Sequence, residues 1–160
     1  MRVAEGRRPD RLFDDPLASA FVAAAAGEGI GRVEDDLPTV DLRGADDLVA
    51  VRTATFDRQA AQACAAGVRQ VVLVAAGLDA RAYRMDWPAG VTVFELDLPQ
   101  VFAFKEPVLA ASGLPARCQR VTVPADLRTD WTGPLAAAGF SAAEPAVWLV
   151  EGLLPYLDGD

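Results

Sequence analysis

The sequence predicts an α/β fold, a doubly wound parallel sheet with helices on both faces, and three observations predict it. Val71 to Ala75 form a short unbroken apolar run, which suits a strand covered on both faces, as strands of parallel sheets are. The run ends at Gly77, where a residue without a side chain lets the backbone turn sharply and a ligand come close. About 20 residues further on, a second β-rich run, Val91 to Leu96, delivers Glu95 and Asp97 at its carboxyl end, where an acid can accept hydrogen bonds from both hydroxyls of a ribose. Strand, glycine turn, short helix and acid-tipped strand read together as a cradle for a nucleotide-type cofactor.

The remaining elements follow in order. Arg7 to Ala26 opens with charge and a proline, then spaces Leu12, Phe13, Leu17, Phe21 and Val22 as a helix would after Asp14, Asp15 and Pro16. Residues 27–44 are rich in glycine and acid and read as a loop. Ala45 to Ala66 reads as a long helix, with Asp46 and Asp47 near its positive end and Gly67 just past its last turn. Leu48, Arg52 and Phe56 lie four apart, so Arg52 projects from an apolar stripe and needs an anion or a path to water. Asp79 after the glycine turn reads as a helix cap, and Trp87 with Pro88 closes that short helix. Leu98 to Ser112 is the next helix, with Lys105 expected at its surface or in helix packing. Arg117 to Val123 is a third strand, leading to Asp126 and Leu127. Trp131 to Phe140 supplies a helix, and Ala146 to Val150 a fourth strand tipped by Glu151 and Gly152. Gly77, Asp97, Asp126 and Glu151 therefore share the carboxyl edge of the sheet, where open α/β sheets bind ligands.

Bulk properties narrow the function. The 160 residues suffice for one domain with a sizeable core. A net charge of −8 argues against a general nucleic-acid or acidic-membrane binder, because phosphates would be repelled over most of the surface. No apolar run approaches the ~20 residues that span a bilayer, and the first ten residues lack a signal-peptide core, so a cytoplasmic location is expected. Cys64 and Cys118 lack metal-ligand spacing and read as plain reduced thiols. The sequence contains no histidine, which removes Ser/His/Asp triads and histidine metal sites.

The dinucleotide pattern GxGxxG is broken, with Ala75 at its first glycine position and Ala80 at its last, which disfavours a pyrophosphate against the helix start. A cofactor with a ribose and no phosphate fits better, and S-adenosyl-L-methionine is the leading choice. An NAD-dependent oxidoreductase is the competing enzyme class, with the missing glycines against it.

Four stretches in one order, residues 75–88 (AAGLDARAYRMDWP), 93–105 (VFELDLPQVFAFK), 125–128 (ADLR) and 148–157 (WLVEGLLPYL), resemble a family of bacterial S-adenosylmethionine-dependent methyltransferases related to the leucine carboxyl methyltransferases. The resemblance extends from residues 7–18 to the last ten residues. It implies a Rossmann-like sheet of the class I methyltransferase type, with residues 1–66 as an N-terminal helical cap and 67–160 as the first part of the cofactor domain. It implies that Arg52 meets the cofactor's carboxylate, against an internal salt bridge as the alternative. It assigns Asp97, with Glu95 sharing its role or solvating the loop, to the ribose, and Asp126 with Leu127 to the adenine, against a turn-capping aspartate. Gly77 and Glu151 would border the methionine moiety. Tyr156 would line the acceptor pocket or belong to the core.

Relatives of that family continue beyond the fourth strand, so a sheet truncated there is expected, with two exposed edges prone to association into a homo-oligomer. The reaction implied is methylation of an oxygen on a small-molecule or carboxylate acceptor. A non-catalytic cofactor-binding remnant, or an interaction module, is the alternative from a different class. Ala75 in place of the family's first turn glycine is expected to add one tolerated methyl group near the ligand.

Overall fold

The computed structural model describes residues 2–27 and 45–153, with only the backbone of residues 45 and 46. Tyr156, most of the acidic loop, the last residues of the fourth stretch and the side chain of Asp46 lie outside the described residues. Ten elements follow one another: α1 (Arg2–Gly6), α2 (Ala18–Gly27), α3 (Ala45–Ala65), β1 (Gln70–Val74), α4 (Arg81–Arg84), β2 (Thr92–Asp97), α5 (Pro99–Ser112), β3 (Gln119–Pro124), α6 (Thr132–Ala137) and β4 (Ala146–Val150).

The four strands form one sheet in the order β3-β2-β1-β4, every pair parallel. The chain steps outward from β1 to β3, then returns across β1 to add β4. The order thus reverses between β1 and β4, the place where sheets of this kind open a crevice at their carboxyl ends. Register fixes which tips meet there: Val74 lies opposite Leu96 on one side and Val150 on the other.

The alternation of side chains along each strand splits the core in two. Val71, Leu73, Val93 and Leu149 face one side, where Ala60 and Cys64 of α3 and Ala82 of α4 pack on them with Met85 and Trp87. Val72, Phe94, Leu96 and Val123 face the other, against Leu135 of α6. A smaller cluster joins Leu17 and Phe21 to Leu109 of α5 and Ala80, which seats α2 beside the turn that follows β1. Both faces of the central strands β1 and β2 are therefore covered, and every strand expected from the sequence is present with its ends moved by two residues or fewer.

Several boundaries have plain local causes. Helix α5 begins at Pro99, whose missing N–H costs nothing in a first turn, and ends at Gly113, left-handed with φ +66°. Helix α1 is an element that the charged first ten residues do not predict. Leu48, on the apolar stripe that α3 shares with Arg52 and Phe56, is 67% exposed.

Candidate functional site

At the carboxyl end of β1 the backbone passes through two left-handed residues, Ala75 with φ +53° and Gly77 with φ +48°. A Cβ placed on Gly77 would meet only the Ala75 carbonyl, at 4.0 Å, so the conformation is what calls for glycine there. The turn is tied to β2 by Asp97: its Oδ2 accepts from the Gly77 N–H at 2.6 Å, and its Oδ1 from the Leu98 N–H at 2.7 Å. Asp97 thus holds the cradle in shape, and each oxygen keeps a further lone pair for a ligand.

Ala75 stands between two recesses. One, of about 280 Å³, is lined by Asp97, Leu98, Ala125, Asp126, Leu127, Arg128 and Leu153. Its walls are mostly apolar with an acid at each of two strand ends, a donor set that suits a flat ring joined to a ribose. Asp126 caps its own turn, accepting from the Arg128 N–H at 2.9 Å, and pairs with the Arg128 guanidinium at 2.6 Å. Those bonds hold its carboxyl down at about 2, so it is a permanent anion at neutral pH. Leu127 packs on the core from the same loop.

The other recess is smaller, about 60 Å³, and ionic. Arg2, Arg52, Asp79, Arg81 and Glu151 line it together with the tips of β1 and β4. Glu151 accepts from Arg52 Nε at 2.8 Å and from Arg81 Nη2 at 2.9 Å. Arg81 also donates from Nε to Asp57 at 2.7 Å and from Nη1 to Asp79. Arg84 grips the same Asp57 at 2.6 and 2.8 Å, with its guanidinium over the Phe13 ring. Burial pushes the Asp79 carboxyl up, but Arg81, Arg2 and Lys105 outweigh it, and the group titrates below the usual carboxylate range. Asp79 also accepts from the Arg81 N–H at 2.7 Å, the capping bond expected of it, although the helix itself starts after Ala80.

The structure brings Gly77 and Asp97 together, with Asp126 and Leu127 beside them, and sets Arg52 and Glu151 across Ala75. Arg52 forms the internal salt bridge that was its alternative reading, while its side chain stays half exposed at the mouth of the recess. Glu95 departs from expectation. It is fully buried, bonded to Lys105 at 2.8 Å and Arg120 at 2.7 Å, so it neither solvates the loop nor faces the recesses. Helix α5 covers that face of β2 one residue pair before the tip, which the two-residue period alone does not reveal. Lys105 follows the packing alternative rather than the surface one and is fully buried against β2. Sequence reasoning also missed Arg2, Asp57 and the central place of Arg81. The three-residue spacing of Arg81 and Arg84 on one short helix was the available signal, since it lets both guanidiniums reach one carboxylate.

The order of strands, the helices on both faces and the crevice at β1 and β4 define the class: an α/β protein on a Rossmann-like parallel sheet of the class I methyltransferase type. The family model described as leucine carboxyl methyltransferase matches residues 1–160, and the chain belongs to that family. A Frankia alni protein described as "Putative S-adenosyl-L-methionine-dependent methyltransferase" is 48% identical over 100% of this chain and 57% of its own length. Proteins of the same description from Parafrankia and Mycolicibacterium smegmatis are 49% and 48% identical over 100% of this chain, and 52% and 56% of theirs. The chain thus spans about half the length of the curated relatives it matches.

Proposed function

We propose that this chain forms the cofactor-binding part of an S-adenosyl-L-methionine-dependent methyltransferase acting on an oxygen of a small-molecule or carboxylate acceptor. Residues 1–66 serve as the helical cap and 67–160 as the cofactor domain. The observation that carries the reading is the pair of recesses joined at Ala75, one apolar with two acids, the other ionic.

In this reading Asp97 accepts from the ribose hydroxyls on the lone pairs left free by Gly77 and Leu98. Asp126 accepts from the adenine amino group, with Leu127, Leu98 and Ala125 along the ring. Arg52 offers its guanidinium to the carboxylate of the amino-acid end, and Glu151 takes the ammonium. Gly77 leaves room for the chain between the two ends. When bound, the cofactor supplies an electrophilic methyl carbon on a sulfonium that leaves as a neutral thioether. The protein's part is then to align the acceptor and exclude water rather than to furnish a nucleophile.

A carboxylate acceptor suits these residues. It needs no base, whereas an alcohol or phenol does, and the acids at the ionic recess are committed to arginines. Asp79, held below the ordinary carboxylate range, is a weak base at neutral pH. A cytoplasmic location and self-association belong to the same reading. Among the described residues no helix is long and apolar enough to cross a membrane.

Calorimetric titration with S-adenosyl-L-methionine and its demethylated product tests the proposal, with NAD as the competing ligand and Asp97→Asn as the site variant. Saturable binding of the first two, no binding of NAD, and an affinity about tenfold lower in the variant are expected. A folded protein that binds neither, or whose affinity ignores the variant, overturns it. Binding without methyl transfer to any acceptor would favour the reading of a cofactor-binding remnant.

A further inference from the structure

Arg81 is the most heavily engaged side chain at the ionic recess, and it is 1% exposed. Its three nitrogens each meet a different carboxylate, and the three carboxylates belong to three separate segments. Asp57 is on α3, five residues after Arg52; Asp79 closes the glycine turn; Glu151 follows β4. Two further contacts fix this arrangement. Arg84 holds Asp57 from the other side with two bonds, and the Trp87 indole N–H donates to the Arg81 carbonyl at 2.9 Å.

We propose that Arg81 is the positioning residue for the amino-acid end of the cofactor, setting the placement of Arg52 and Glu151 through the three carboxylates it holds. The inference rests on the cofactor reading above. An α-amino acid presents a carboxylate and an ammonium a fixed short distance apart, so its binding depends on how a cation and an anion are spaced. Glu151 is held directly by Arg81, and Arg52 indirectly, through its own bond to Glu151 and through Asp57 on its own helix. The planar guanidinium holds these three acids at the fixed angles of a rigid fork, whereas an ammonium is a compact charge with three rotatable donors on a flexible stem and does not fix that geometry.

The nucleoside recess has independent supports. Asp97 is bonded to Gly77 and Leu98, and Asp126 to Arg128, with no bond passing through Arg81. Weakening the Arg81 fork should therefore damage one end of the site and spare the other, which a merely structural arginine would not do.

The experiment compares two ligands on the full 160-residue chain by calorimetry: S-adenosylhomocysteine, with an amino-acid end, and 5′-methylthioadenosine, without one. For Arg81→Lys the affinity for S-adenosylhomocysteine should fall about tenfold or more, while that for 5′-methylthioadenosine stays within about twofold. Asp57→Asn, which weakens the α3 arm together with the grip of Arg84 on it, should show the same one-sided loss and serves if the lysine variant fails to fold. An equal loss for both ligands in a folded variant, or no loss for either, overturns the inference and leaves the cofactor reading intact. A wild-type protein that binds neither nucleoside overturns the cofactor reading and this inference with it.

Discussion

Ala75 carries the sharpest local tension in the fold. With φ at +53° it occupies the left-handed region, which costs a residue bearing a Cβ about 1–2 kcal/mol. The sequence shows a departure from a glycine pattern, and the expectation it supports is one tolerated methyl group near a ligand. Backbone strain is the additional consequence, and it is not legible in spacing because it depends on how the turn is tied to β2 through Asp97. Replacing Ala75 with glycine removes that strain and restores some freedom to the unfolded chain, leaving a net gain of about 0.5–1 kcal/mol. Chemical denaturation should show a higher midpoint for Ala75→Gly; an unchanged or lower one would mean the turn relaxes in solution. The placement of Asp97 was legible for the converse reason, since an acid at the end of a regular strand after a glycine turn has only one edge to occupy. Arg81 was not, because its three partners lie 2, 24 and 70 residues away and no periodicity links them.

Elements were read from the sequence where one periodicity ran for several residues, as in β1, β4 and α3, and missed where it did not. The five residues of α1 are too few to show a repeat, and Glu5 is its one buried side chain. The pairing of β2 with α5 belongs to neither element alone. Glu95 and Lys105 are both fully buried, and Arg120 of β3 completes the group while bonding Glu106 at 2.7 Å. Removing one member of such a buried pair strands the other charge, whereas removing both does not. Glu95→Gln should therefore destabilise the protein by about 3–5 kcal/mol, and Glu95→Leu combined with Lys105→Met should recover most of that loss. Urea unfolding of the single and double variants measures it. Additive losses would show that Lys105 finds another partner and that the two do not act as a pair.

On the scale of the whole molecule, the two edges of the four-stranded sheet differ in how readily they would accept a further strand. The β3 edge carries Gln119 and Arg120 and ends at Pro124, features that discourage a further strand. The outer edge of β4 has none of these. Its sequence, Ala-Val-Trp-Leu-Val, holds no charge and no proline, and among the described residues no strand pairs with it beyond β1. Trp148 and Val150 are each 43% exposed on one face, and Trp148 meets Phe140 and Trp131 edge-on to extend an apolar surface beside that edge. An apolar strand with open backbone donors and acceptors pairs with a like strand when concentration allows. Light scattering over a concentration series should then show the mass per particle rising above that of one chain. Val150→Lys places a charge on the exposed face without touching the aromatic contacts, and should shift the distribution toward monomer while changing stability by no more than about 0.5 kcal/mol. If the wild type stays monomeric throughout, the β4 edge is protected by something other than its own residues. If the lysine variant associates as the wild type does, the contact between copies lies elsewhere, and the apolar face of α2 that carries the exposed Val22 becomes the next surface to charge.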